Sequence, residues 1–341
     1  MNASTQPPAT GSTTDPTGAT AKATTRTTTK TTTKTTTKER SAIDQEPKVP
    51  AAAPDRGSRP APVELRADCI ADSAGGLTFD LNAPEDTHTS WNAALVLRLR
   101  GGDGADDEVR LPLGPNGAGR LRAVLPSTVA LAEGRWNAYA DLGDGRDPRR
   151  LLPGVNDLRS LVDRRPLAGI GRLGVRIPYA TKFGNLALRS WLRGPHAEAG
   201  DIVVTPDGMT VSGRLYGAAP AAGAQAEARA RRTPRSPGAA PAAVTVPLAV
   251  EGPDFTFTLP YEELAGSWRS GSEPWDLWLR PAAGAPPVRI ARLLDDVPDK
   301  KQVFSYPALP VQAAAAQVRV GPYYTLDNDL AIRVAGPEED A

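Results

Sequence analysis

Pro178-Tyr179-Ala180-Thr181-Lys182-Phe183-Gly184-Asn185-Leu186-Ala187-Leu188-Arg189 stands near the middle of the chain, and Pro322-Tyr323-Tyr324-Thr325-Leu326-Asp327-Asn328-Asp329-Leu330-Ala331-Ile332-Arg333 near its end. Pro, Tyr, Thr, Leu, Ala and Arg coincide without a gap. Gly184/Asn328, Asn185/Asp329 and Leu188/Ile332 are conservative partners. The motif has a physical reading. Pro and Tyr enter a turn, and Phe183-Gly184-Asn185 or Asp327-Asn328-Asp329 supplies residues that tolerate left-handed backbone angles. The alternating Leu-Ala-Leu-Arg or Leu-Ala-Ile-Arg then opens a strand.

Three further matches lie upstream in the same order. Val109-Arg110-Leu111-Pro112-Leu113 parallels Val244-Thr245-Val246-Pro247-Leu248, and Leu125-Pro126 parallels Leu259-Pro260. Trp136-Asn137-Ala138-Tyr139 parallels Trp275-Asp276-Leu277-Trp278. One match could be chance, but four collinear ones argue for duplication.

Working outward, strands are expected at 94–100, 109–113, 120–124, 136–139, 208–215, 245–250 and 255–259, with a hairpin turn at 143–145. Single helical turns are expected at 127–132 and 261–265, after each Leu-Pro. Short strands punctuated by 32 glycines and 34 prolines suit sandwiches. The expected fold is therefore all-β, with two tandem Ig-like β-sandwich domains after a disordered tail. The expected divisions are a tail over 1–62, a first copy over 63–194 and a second over 195–336. Residues 218–241, rich in Ala, Arg and Pro, read as a mobile insert in the second copy. Its Arg229, Arg231, Arg232 and Arg235 offer charge for anions, though a solvated loop is the simpler reading.

The tail holds almost no large apolar side chains, so burial cannot offset its chain entropy. Three identical Thr-Thr-Thr-Lys units fill 27–38, and 22–40 carries six basic residues against one acid. This reads first as a solvated, repeat-expanded linker and second as a weak electrostatic attachment without sequence specificity. The whole chain has a formal net charge of +1, which gives no general pull on polyanions and no expectation of specific nucleic-acid binding. Cys69 is the only cysteine, so neither an intrachain disulfide nor a cysteine metal cluster is expected. The N-terminus has no signal-peptide core, and no stretch approaches the roughly 18 apolar residues of a membrane helix. The expected location is cytoplasmic, with the inner membrane face as an alternative.

Chemical motifs are sparse. His88 follows Glu85-Asp86-Thr87 and His196 sits at the expected linker; neither belongs to a metal-type pattern. No nucleophile elbow supports a hydrolase triad around His88. No phosphate loop is present, Gly101-Gly102 opens no helix, and no cofactor or metal is expected. The run Asp103, Asp106, Asp107, Glu108 reads as a solvated hairpin loop rather than a calcium site. The candidate ligand-binding residues are the repeated ones: Tyr179, Thr181 and Asn185, with Tyr323, Thr325 and Asp329. Aromatic faces there could stack on sugar rings, although a Pro-Tyr turn is more often scaffold. Trp136, Trp275 and Trp278 are expected in the core. Catalytic residues are not identifiable.

Gly134-Arg135-Trp136-Asn137-Ala138-Tyr139, followed by Pro178-Tyr179-x-Thr181-x-x-Gly184-Asn185-Leu186, resembles a β-domain of high-GC Gram-positive bacteria. Such domains accompany glycosyltransferases and CDP-glycerol glycerophosphotransferases and often carry the label "transferase". The resemblance spans 63–335 in two copies. It implies a link with cell-surface polysaccharide assembly and transfers no catalytic residue. Three readings follow from it. The first is an accessory double sandwich that binds carbohydrate, a glycopolymer or a partner transferase. The second is a transferase with its site between the copies, where Arg164, Arg165, Arg172, Arg176 and Lys182 would hold a phosphorylated donor. The third is a structural interaction protein tethered by the tail.

Overall fold

The computed structural model describes residues 64–82, 90–162, 164–167, 169–231, 242–314 and 316–337. The Thr/Lys tail, His88, Arg232 and Arg235 lie outside them. Among the described residues the chain is all-β, apart from the helix Tyr261–Gly266 and three 3-10 turns.

The first repeat supplies β1 (Arg66–Ala71), β2 (Leu77–Asn82), β3 (Ala94–Leu99), β4 (Glu108–Pro112), β5 (Gly114–Pro115) and β6 (Leu121–Leu125). These are followed by β7 (Gly134–Asp141), β8 (Arg149–Arg150), β9 (Leu152–Asp157), β10 (Leu173–Ala180) and β11 (Leu186–Arg193). The second supplies β12 (His196–Thr205), β13 (Gly208–Tyr216), β14 (Gln225–Ala230), β15 (Ala243–Pro247), β16 (Ala249–Glu251) and β17 (Asp254–Pro260). It ends with β18 (Ser272–Arg280), β19 (Val288–Ala291), β20 (Leu309–Gln312), β21 (Gln317–Tyr324) and β22 (Leu330–Ala335).

The quoted motif is a hairpin in both places, with matching register. Pro178 opposes Leu188 and Tyr179 opposes Ala187; Pro322 opposes Ile332 and Tyr323 opposes Ala331. In each turn a threonine backbone N–H donates across to the fifth residue: Thr181 to the Asn185 carbonyl and Thr325 to that of Asp329, both at 2.9 Å. The threonine hydroxyl oxygens accept from the Asn185 and Asp329 backbone N–H groups, both at 3.2 Å. The fourth residue takes the left-handed conformation, Gly184 at φ +74° and Asn328 at φ 61°. Two different residues thus meet one backbone requirement.

The match propagates through the sheets. Leu188 opposes Trp136 and Ile332 opposes Trp275. Beyond them, Leu97 of β3 opposes Ala138, and Ala228 of β14 opposes Leu277. Leu97 and Ala228 in turn oppose Val109 and Val244. The other sheet runs β5-β6-β2-β1-β9 in the first repeat, and β16-β17-β13-β12-β19 is its counterpart. In both, the last pair is parallel. Residues 149–157 cross between sheets, β8 pairing with β7 and β9 with β1. Strand β19 pairs with both β18 and β12 and does the same in the second repeat.

Alternation dictates what each pair of sheets buries. Phe79, Leu125, Trp136 and Leu188 meet in one core, and Phe257, Leu259, Trp275 and Ile332 in a second. Period-2 side chains from two facing sheets leave no other arrangement for these apolar rows.

Three expectations change. Within the expected insert, Gln225–Ala230 is the strand that corresponds to β3, with Ala226, Ala228 and Ala230 buried. Its inward row is all alanine, so a strict alternation carries only a weak apolar signal. The stretch 245–250 divides at Leu248, because β15 pairs with β14 while β16 pairs with β17. Residues 127–132 form no helical turn. The Val129 N–H donates to the Pro126 carbonyl at 3.1 Å, and the carbonyls of Pro126, Ser127 and Val129 accept from the buried Arg176 guanidinium.

Gly184→Ala tests the turn directly. No atom stands within 4 Å of an added Cβ, so only the left-handed backbone is strained. The expected loss is about 1–2 kcal/mol in urea unfolding, with Gly184→Asn costing less because Asn328 already fills the equivalent position.

Candidate functional site

The outer face of each hairpin sheet carries polar residues on the strands that hold the cores. Trp275, Leu277 and Leu279 point inward from β18, so Asp276 and Trp278 point out. This corrects the expectation for Trp278. Trp275 is fully buried, but residues three apart on a strand cannot share a face.

Trp278 stands between guanidinium groups from flanking strands, Arg229 at 5.2 Å and Arg289 at 4.8 Å from the ring centre. In the first repeat Tyr139 stands between Arg98 at 5.1 Å and Arg150 at 4.8 Å. Register makes these equivalent, since Arg150 opposes Tyr139 and Arg289 opposes Trp278. The arrangement is a duplicated cation–π clamp.

In the second repeat the clamp borders a cleft of about 630 Å3 lined by Arg231, Asp276, Trp278, Arg289, Tyr323 and Asp329, among others. Asp276 Oδ1 accepts from Arg231 Nε at 2.7 Å and lies 3.0 Å from Arg289 Nη1. Burial works to raise the Asp276 pKa, but Arg231 and Arg289 more than offset it and hold the carboxyl below the usual range. Asp329 Oδ2 lies 3.4 Å from Arg289 Nη2, and its Oδ1 accepts from Arg193 Nη1 at 2.7 Å. Glu227 holds Arg229 through two bonds of 2.8 Å. Arg229 and Arg231 therefore already have carboxylate partners within the fold.

The six candidate residues divide. Tyr323, Thr325 and Asp329 line the cleft together. Tyr179 and Asn185 occupy the equivalent half-buried positions in the first repeat. Thr181 and Thr325 shape their turns with their hydroxyls, and Tyr323 lies under the Arg333 guanidinium at 4.8 Å. Sequence reasoning missed Arg289, Asp276 and their counterparts Arg150 and Asn137. Aligning the Arg-x-Arg pairs Arg98/Arg100 and Arg229/Arg231 was the available signal.

The second repeat's turn has one further task. Arg189 donates to Asp327, and Trp191 Nε1 donates to the Asp327 carbonyl at 3.1 Å. Asn328 is buried, its Oδ1 accepting from the Lys300 N–H at 3.0 Å and its amide donating to Pro298. Lys300 is itself buried, paired with Asp295 Oδ1 at 2.5 Å, and burial pulls its ammonium below the usual range.

The basic set considered for a phosphorylated donor is not assembled. Arg164 and Arg165 line a hollow of about 410 Å3 with Glu198, Tyr216 and Arg292, which does not include Arg172, Arg176 or Lys182. Arg164 donates to the Gly174 and Ala74 carbonyls, and Lys182 sits over Phe183 on the exposed turn. Glu198 accepts from Leu293 N–H and Leu294 N–H, both at 2.9 Å, and faces His196 Nε2 at 2.6 Å. His196 is fully buried against Tyr216 rather than set in an open linker. A larger hollow of about 920 Å3 is lined by Ser160, Arg164, Leu167 and Ile170, among others. Among the described residues no cluster of metal-ligating side chains occurs, and no helix is long and apolar enough to cross a membrane.

No family model matches the chain, and no curated protein matches it. Among solved structures it is similar to S. aureus TarS, at 12% identity and a TM-score of 0.27, over 58% of this chain and 35% of that one. It is similar also to S. aureus TarS 217–571, at 11% identity and a TM-score of 0.26, over 58% of this chain and 56% of that one. The chain thus spans about a third of one and just over half of the other.

Glu198→Ala should strand two partly buried backbone N–H groups and one imidazole nitrogen. We expect a loss of at least about 2 kcal/mol in thermal or urea unfolding. A change below 0.5 kcal/mol would contradict this anchoring role.

Proposed function

We propose that the protein is an accessory double β-sandwich in the assembly of a cell-surface glycopolymer, and that it holds carbohydrate through the second repeat's outer cleft. One observation carries the reading. Tyr323, Thr325 and Asp329, the repeated residues of the motif, share a single cleft with Trp278, Asp276 and Arg289. A sugar offers apolar C–H patches beside a ring of hydroxyls. Aromatic edges can meet the first, while guanidinium groups donate to the hydroxyls and carboxylates accept from them. The Arg–Asp pairs fix these groups before any ligand arrives, which lowers the ordering cost of binding.

A partner transferase is the second occupant consistent with this role, and the resemblance of the Trp and Pro-Tyr motifs favours it. Both readings make the protein a positioning element, with bond-making done elsewhere.

The experiment is a glycan array of bacterial wall-polymer fragments with the full chain, followed by calorimetry on any hit. Trp278→Ala and Tyr323→Ala should each weaken binding by about fivefold or more, as loss of a contacting aromatic costs on the order of 1 kcal/mol. Binding indifferent to both changes would sink the cleft assignment. Turnover of radiolabelled CDP-glycerol or a sugar nucleotide by the pure protein, abolished by one point substitution, would overturn the non-catalytic reading.

A further inference from the structure

The two outer faces can be compared position by position, and one difference between them is chemical. In the second repeat three arginines, Arg229, Arg231 and Arg289, face three carboxylates, Glu227, Asp276 and Asp329. Register places Val96, Asn137 and Asn185 at the corresponding positions of the first repeat. The arginines are kept, as Arg98, Arg100 and Arg150. The carboxylates are not.

Arg98 has a local substitute, Glu108 Oε2 at 2.7 Å. Arg100 and Arg150 have none. Both donate to the neutral Oδ1 of Asn137, at 3.1 Å and 2.9 Å. Among the described residues no carboxylate lies within ion-pair distance of either. Arg150 Nη1 is buried and finds no acceptor among the described residues. Burial, with the Arg100 charge adding to it, pulls the Arg150 guanidinium below its usual range. Two like charges converge on one uncharged oxygen, an arrangement that an anion relieves.

We propose that Arg100 and Arg150 form a phosphoryl-binding site on the outer face of the first repeat, with Asn137 and Tyr139 as its floor. The ligand class follows from the donors. Two planar guanidinium forks reach in from opposite sides of β7, one just past the end of β3 and one on β8. Together they present more N–H groups than the two oxygens of a carboxylate accept, whereas the three or four oxygens of a phosphoryl group serve both. Arg100 is exposed, so the site is open to a phosphoester carried on a larger chain. Asp276 shows why the second repeat lacks this property: its own carboxylate occupies the anion's position. The site goes beyond the carbohydrate cleft and does not depend on it.

The test is calorimetric titration of the full chain with inorganic phosphate, glycerol phosphate and acetate at low ionic strength. Wild type should bind phosphate and glycerol phosphate saturably and acetate more weakly. Asn137→Asp installs the carboxylate that the second repeat already tolerates, so the fold is kept. It should weaken phosphate binding by about tenfold or more, the worth of a charge-assisted hydrogen bond. Arg150→Gln should do the same, and an unfolding midpoint for Asn137→Asp no lower than wild type excludes misfolding as the cause. Absence of saturable phosphate binding by wild type, equal affinity in Asn137→Asp, or acetate binding as tightly as phosphate would each overturn the proposal. Trp278→Ala should leave the phosphate titration unchanged, so failure of the carbohydrate cleft and failure of this site are read separately.

Discussion

One backbone constraint orders both halves of this protein: a single left-handed residue in the turn between the last two strands of each repeat. Gly184 and Asn328 meet it by different means, one through the missing Cβ and the other through a short polar side chain. That residue fixes hairpin register, and a slip of one position would turn Leu188 and Ile332 from core to surface. With register fixed, Trp136 and Trp275 fall opposite those residues and each core closes around an indole. The outer faces then inherit equivalent rows of arginine and aromatic side chains.

The repeats share a frame and differ in how they treat its charge. The second neutralises its arginines internally and spends part of its turn on the first, where Asp327 meets Arg189 and Trp191 and Asp329 meets Arg193. The first leaves Arg100 and Arg150 on an amide oxygen. Replacing a carboxylate by its amide leaves volume almost unchanged and removes a unit charge. The cation–π clamp around Tyr139 survives that change while the electrostatics of the face are altered.

Much of this frame was legible in the sequence, because a hairpin turn imposes local residue requirements. The threonine, the left-handed residue and the alternating strand after it are contiguous, so twelve residues in each copy, with three collinear matches upstream, made the duplication readable. β14 was not legible, since alanine on its inward row mimics a biased loop. Trp278 was misassigned although period-2 alternation from Trp275 placed it outside. Arg100, Asn137 and Arg150 are joined only by register across three strands. Sequence separations of 13 and 37 residues give no local cue to such a meeting. His196 and Glu198 were obscured in another way. His196 meets Glu198, whose other partners are backbone N–H groups of Leu293 and Leu294, which no side-chain pattern announces.

The central claim is that one duplicated frame carries a neutralised face in the second repeat and an unneutralised one in the first. A crystal structure of the full chain grown in phosphate tests it most directly. The account predicts an anion bridging Arg100 and Arg150 and none between Arg231 and Arg289. Equal occupancy at both places, or an anion only at the second, would contradict it.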